Sequence, residues 1–445
     1  MRIFLTLLGV LSATLLAAAD YEIKLTSTAV DSIVPCGKEF VFTAQALMDG
    51  KPAPADMTLK VTEHISGKGV KSVSQSADKL YTFKYTPTEP GHIYIKCYLY
   101  GKEKKSKPLV LKNSKNRKSK SVVGVGVYVD PEKQRIARPE PADFDAVWEK
   151  YKAELKAVPM KELERKQLNI TPAEKEKVNV YDVKVASPGG KNVSGILCVP
   201  QNKARKYPAI VYFHGAGVRS SGIRINAEAI TLDVNAHGLP NRMPAKFYND
   251  ILKNNSPYVG TAEVKAKMFH GMFMRVLRAL EYVRSQEEWN GKDLIVTGGS
   301  QGGIQTITAA AQDKFVTLAV PNIPAMIGVG EYLCKGKEKV QVAWPAPYRQ
   351  EFNAKKDVTA IAREFDYMDG AFQLRRVKCP IYVAVGMFDT HAAHVAAAWN
   401  DCPAEKKVFT RNPNNAHEPV NPAGHKAIRD LLAQRTAEAA KKADK

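Results

Sequence analysis

At 445 residues the chain is too long for one small hydrophobic core, so at least two folding units are expected. Hydrophobic content of 44% is ordinary for a globular protein, and much of the net charge of +21 sits in Lys102 to Lys120 and Lys441 to Lys445. No aromatic residue interrupts the first of these runs, which argues against a base-stacking nucleic-acid surface.

The N-terminus joins Met1-Arg2 to an apolar run from Ile3 to Leu16 and then to Ala17-Ala18-Ala19-Asp20. Charge, apolar core and small-residue exit predict a secretory signal peptide over residues 1–19, cleaved after Ala19. No later stretch is long and apolar enough for a membrane anchor, so a secreted or periplasmic protein is expected.

Residues 20–125 hold short alternating runs divided by turn residues, among them Phe40-Val41-Phe42-Thr43-Ala44 and His92-Ile93-Tyr94-Ile95-Lys96-Cys97. Alternation at this spacing predicts an immunoglobulin-like β-sandwich, acting as a spacer or packing module in preference to a carbohydrate-binding one. Cys36 and Cys97 fall within it and can bridge; Cys198 and Cys379 lie at apolar runs and read as buried thiols. Cys334 and Cys402 flank loops, and no Cys-x-x-Cys spacing resembles a zinc site.

The junction falls between Val122 and Pro141, and residues 126–445 form the second expected domain. It opens with a helix capped by Asp143 and carrying Phe144, Val147, Trp148 and Tyr151 on one face. Beyond it, Val178 to Val183 and Val193 to Val199 read as a hairpin, and Pro208 to Phe213 as a buried strand. A helix over Val264 to Gln286, strands at Leu294 to Val296, Thr317 to Val320 and Ile381 to Val385, and a last helix from Pro422 to Ala440 follow. This alternation predicts a mostly parallel sheet with helices on both faces and a ligand at the carboxyl ends of its strands.

The stretch Gly298-Gly299-Ser300-Gln301-Gly302-Gly303, between an apolar strand and a helix, reads as a nucleophile elbow. Glycines at 298 and 302 leave no Cβ where strand and helix must pack tightly. Ser300 is the expected nucleophile, and the N–H of Gln301 is aimed at a developing oxyanion. A second oxyanion N–H is expected from Ala216, in the loop Phe213-His214-Gly215-Ala216-Gly217.

A serine hydroxyl needs a base, and the base needs an acid to hold its tautomer. Asp389, just after the strand ending at Val385, fits the acid better than Asp366 or Asp369, which follow no strand. His417, in a loop before the last helix, fits the base better than His425, which lies within that helix. His391 and His394 beside Asp389 suggest a metal site only weakly, since histidines at helical spacing are common, so neither metal nor cofactor is expected. The segment from Pro321 to Phe372 is expected to cover the site.

These motifs, with Asp143 to Trp148, Phe213-His214-Gly215, Gly386-Met387-Phe388-Asp389 and His417-Glu418, make residues 140 to 435 resemble the acetyl xylan esterase and cephalosporin-C deacetylase family, carbohydrate esterase family seven. The resemblance implies an α/β-hydrolase fold, Ser300 as nucleophile, Asp389 as orienting acid, His417 as base and an oxyanion hole from Ala216 and Gln301. Departures mark a divergent branch. Asp233 to Gly238 stands where the family usually has Arg-Gly-Gln, Ala216 stands where relatives often carry tyrosine, and the loop after Asp389 is short. The expected activity is that of a secreted serine esterase removing acetyl groups from xylan-type polysaccharide or oligosaccharide, with another acyl hydrolase, a peptidase or an inactive carbohydrate-binding protein as alternatives.

Overall fold

The structure, a computed structural model, describes residues 19–443 except 67, 104–106, 117–118, 191, 255–261, 331–362 and 364. The expected signal peptide apart from Ala19, Cys334 and the middle of the 321–372 stretch lie outside the described residues.

Among the described residues nine strands precede residue 130: β1 (Tyr21–Ser27), β2 (Ile33–Val34), β3 (Phe40–Met48), β4 (Lys51–Pro52), β5 (Thr58–Ile65), β6 (Gly69–Ser76), β7 (Tyr81–Tyr85), β8 (Gly91–Tyr100) and β9 (Val123–Val129). Strand β3 pairs with β1, β4 and β7 in one sheet, and the other runs β2-β9-β8-β5-β6. The period-two pattern puts Phe40, Phe42, Ala44 and Ala46 of β3 and Ile93, Ile95, Cys97 and Leu99 of β8 into one shared core. Strand β9 crosses the boundary expected between residues 125 and 126 and pairs with β8 from Gly91↔Val129 to Cys97↔Val123. The possible Cys36 to Cys97 bridge is not formed. Cys97 is buried in the core, whereas Cys36 follows β2, where its N–H donates to Asp130, and both are free thiols. Cys198 is buried as expected, and Cys379 is half-buried, its thiol pushed up to about 12 chiefly by burial.

The second body holds a nine-stranded sheet of β10 (Glu162–Gln167), β11 (Val178–Val185), β12 (Val193–Pro200), β13 (Tyr207–Phe213), β14 (Ile230–Val234), β15 (Trp289–Gly299), β16 (Leu318–Asn322), β17 (Ile381–Gly386) and β18 (Lys407–Asn412). Its order is β10-β11-β12-β14-β13-β15-β16-β17-β18, antiparallel as far as β14 and parallel from there on. The parallel strands β13 and β17 are nearly continuous apolar runs because both faces are covered. One face packs on the helices Phe144–Ala157, Ala262–Arg284 and Gln301–Gln312. On the other, Ile210, Ile295, Leu318 and Val320 meet Ala427, Ile428, Leu431 and Leu432 of the helix Pro422–Ala443. Asp143 occupies the N-cap position of the first of these helices, but its side chain makes no cap bond; Oδ1 accepts instead from the Tyr367 hydroxyl at 2.8 Å. Among the described residues no helix is long and apolar enough to cross a membrane.

Where the N-terminal sheet meets the second body, His92 is fully enclosed and its Nε2–H donates to Met387 O at 2.7 Å. Burial lowers its pKa from 6.5 to about 4, so the ring is neutral at pH 7. Between those two values the unfolded chain takes up a proton that the folded chain refuses, and stability falls with falling pH. The loss amounts to roughly 3 kcal/mol once pH passes below the folded value. Urea unfolding at pH 7.5 and pH 5 is expected to show a smaller drop for His92→Gln than for the parent; equal drops would contradict the assignment.

Candidate active site

The turn between β15 and the helix Gln301–Gln312 places Ser300 at φ 59°, ψ −119°, a conformation that L-residues avoid and that surrounding contacts enforce. The Ser300 N–H donates to Asn322 O at 3.0 Å, and its carbonyl accepts from Ala325 N at 3.1 Å. Two glycines permit the turn. A Cβ on Gly298 would lie 2.6 Å from Gly302 O, and one on Gly302 would lie 2.2 Å from Phe213 O. Both positions exclude any side chain without moving backbone.

The structure brings three expected residues together at the carboxyl ends of β15, β17 and β18. Ser300 Oγ lies 2.7 Å from His417 Nε2, and His417 Nδ1 lies 2.5 Å from Asp389 Oδ2. The acid and base loops are pressed together, since a Cβ on Gly386 would fall 1.7 Å from Ala416 O. Glu418, itself buried, accepts the Ala416 N–H at 2.7 Å and shapes the turn that presents His417.

Burial pushes the Asp389 carboxyl upward, but hydrogen bonds from His391 and His417 outweigh it and hold the group well below the usual carboxylate range. Asp389 is therefore ionised and can only accept, which assigns the proton between it and His417 to Nδ1 of the ring. Nε2 is left with a lone pair facing the Ser300 hydroxyl.

The competing candidates are engaged elsewhere. Asp366 forms a two-pronged ion pair with Arg138 at 2.6 Å. Asp369 accepts the N–H groups of Gly328, Val329 and Ala371, and His425 lies exposed on the last helix. The loop carrying Ala216 passes beside the elbow, because a Cβ on Gly215 would stand 3.2 Å from Gly299 O and 3.8 Å from Ser300 Cβ. Gln301 opens the helix that starts at the elbow.

Two pairings escaped sequence reasoning. His391 Nδ1 donates to Asp389 Oδ1 at 3.0 Å and its ring stands 4.9 Å from that of His417, so one carboxylate serves two imidazoles. The only hint was a histidine two residues after the acid. Asp389, His391 and His417 are also the described residues whose donor atoms lie within 4.8 Å, as a metal would need; His394 is not among them. The hydrogen bonds to Asp389 already account for that closeness. Second, His214 and Asp233 are paired side by side, with Arg224 Nε 2.7 Å from the other Asp233 oxygen. Asp233 belongs to the stretch that departs from the family pattern, and the pair ties it to the loop of Ala216.

The family model for acetyl xylan esterase (AXE1) matches residues 131–434, more than half of the chain. The chain belongs to that family. Acetyl esterase Axe7A of Xylanibacter ruminicola is 26% identical over 311 residues, covering 66% of this chain and 67% of its own. Among solved structures, acetyl xylan esterase 1 from Thermoanaerobacterium sp. superposes with a TM-score of 0.54 at 20% identity, covering 68% of this chain and 97% of that one. The acetyl xylan esterase from Paenibacillus sp. R4 gives a TM-score of 0.55 at 20% identity, covering 68% and 98%. The second body is thus an α/β-hydrolase fold, and this member of the acetyl xylan esterase family is a serine-type carboxylic ester hydrolase.

Proposed function

We propose that the protein removes O-acetyl groups from xylan-type polysaccharide or its oligosaccharides through an acyl-enzyme on Ser300. The observation that carries this reading is the unbroken hydrogen-bonded line from Ser300 Oγ through His417 to Asp389. His417 Nε2 takes the hydroxyl proton as Ser300 Oγ attacks the acetyl carbonyl. Negative charge gathers on the carbonyl oxygen, where the N–H groups of Ala216 and Gln301 receive it, the second at a helix N-terminus. The imidazolium, held by ionised Asp389, returns the proton to the departing sugar hydroxyl. Water then enters by the same base and releases acetate.

In this reading the chain divides into a signal peptide over residues 1–19, an immunoglobulin-like β-sandwich and a catalytic body. The pairing of β9 with β8 favours a division near residue 130 over one at 125. Export to the periplasm or the exterior goes with the leader expected at residues 1–19, and polymeric substrate goes with export.

A substrate panel with a fluorophosphonate probe tests the proposal. The probe is expected to attach at Ser300, and turnover to favour acetylated xylooligosaccharides and short aryl acetates over aminoacyl arylamides. Labelling with turnover only of the arylamides would point to a peptidase, and absence of labelling would point to a binding protein.

A further inference from the structure

The N-terminal sheet reaches across the molecule to both loops that carry the acid and the base. Besides the His92 bond to Met387 O, the Tyr128 hydroxyl donates to Ala392 O at 2.6 Å. These carbonyls lie two residues before and three residues after Asp389. On the other loop, Gly126 N donates to Pro413 O at 3.2 Å, and Asn414 Nδ2 donates to Gly124 O at 3.2 Å. The approach is tight enough to dictate residue type. A Cβ on Gly126 would lie 1.7 Å from Met387 O, and one on Gly124 would lie 2.9 Å from the Phe388 ring. Tyr94 closes the joint by packing with Phe388 and Ala416, the neighbours of Asp389 and His417. Residues 91 to 129 of one sheet therefore touch chain positions on both sides of the Asp389 to His417 hydrogen bond.

We propose that His92 and Tyr128 are positioning residues of the esterase centre, clamping the Asp389 loop by its backbone carbonyls so that the acid stays in line with His417. This rests on the Ser300, His417 and Asp389 reading given above, and it turns the expected spacer into a working part of the site. A hydrogen bond to a backbone carbonyl fixes the loop without touching substrate, so its loss acts on kcat and leaves KM in place. A shift of about 1 Å in a supporting element is enough to lower rate by about a hundredfold.

The test uses the full chain and an aryl acetate, with thermal unfolding measured alongside. His92→Phe keeps a ring in the enclosed site but cannot donate; His92→Gln puts an amide N–H where Nε2–H was. His92→Phe is expected to lower kcat by about tenfold to a hundredfold with KM within about twofold of the parent, and His92→Gln to restore most of it. Tyr128→Phe, which loses one hydroxyl alone, is expected to lower kcat by a smaller factor, and it carries the test if His92→Phe does not fold. Parental kcat in the folded donor-less variant, or a loss that His92→Gln fails to recover, overturns the positioning role. Ser300→Ala in the same assay separates the two readings. If it is inactive while His92→Phe is normal, only the clamp falls; if it is active, the triad itself falls.

Discussion

Ser300→Ala is expected to lower kcat by about ten-thousandfold or more while leaving the thermal midpoint close to that of the parent. The chemistry loses its nucleophile outright. The elbow keeps what holds it, because the contacts that enforce φ 59° are made by the backbone N–H and carbonyl of residue 300 with Asn322 and Ala325. Alanine meets the same steric cost at that φ as serine does, so little stability is lost. The measurement is steady-state hydrolysis of an aryl acetate beside a thermal melt. A variant retaining activity within about tenfold would remove Ser300 from the reaction.

Asp389→Asn is expected to cost about ten-thousandfold in kcat, a loss almost as large, for a different reason. The ionised carboxylate accepts from His417 Nδ1 at one oxygen and from both the N–H and Nδ1 of His391 at the other. An amide offers one acceptor and one NH2, so it cannot satisfy both ends. If the NH2 faces His417, the ring must carry its proton on Nε2, where it can no longer take one from Ser300. If the NH2 faces His391, it meets that residue's own N–H. His391→Ala serves as the control. It removes the second imidazole but leaves the Ser300 to Asp389 line intact, and its kcat is expected to stay within about tenfold of the parent. Rate profiles of the two variants on one substrate decide the matter, and an Asp389→Asn enzyme no slower than His391→Ala would displace Asp389 from its role.

The elbow was legible because its demands are local: glycines at fixed offsets, an apolar strand before and a helix after. The strands that form the centre of the large sheet were legible for the same reason, as runs such as Pro208 to Phe213 have no other stable place than between two helical layers. What escaped lacks such a local mark. Strand β10 reads Glu-Leu-Glu-Arg-Lys-Gln and is exposed throughout, so only its pairing with β11 reveals it. Strand β6 is similarly polar, and it is an edge strand held by β5. Gly126 of β9 has meaning through Met387, more than 250 residues away, a relation that no periodicity encodes. The same holds for His214 with Asp233 and for the sharing of Asp389 by two histidines. A place just after a strand was enough to choose Asp389 over Asp366, but the ion pair of Asp366 with Arg138 gives the physical reason.

Deacetylation of a carbohydrate by Ser300 is read out by acetate release from acetylated xylooligosaccharides. The parent chain is expected to release acetate from them and from a short aryl acetate, with both activities abolished in Ser300→Ala. Release that persists in Ser300→Ala, or a serine-dependent activity confined to the aryl ester, would contradict it.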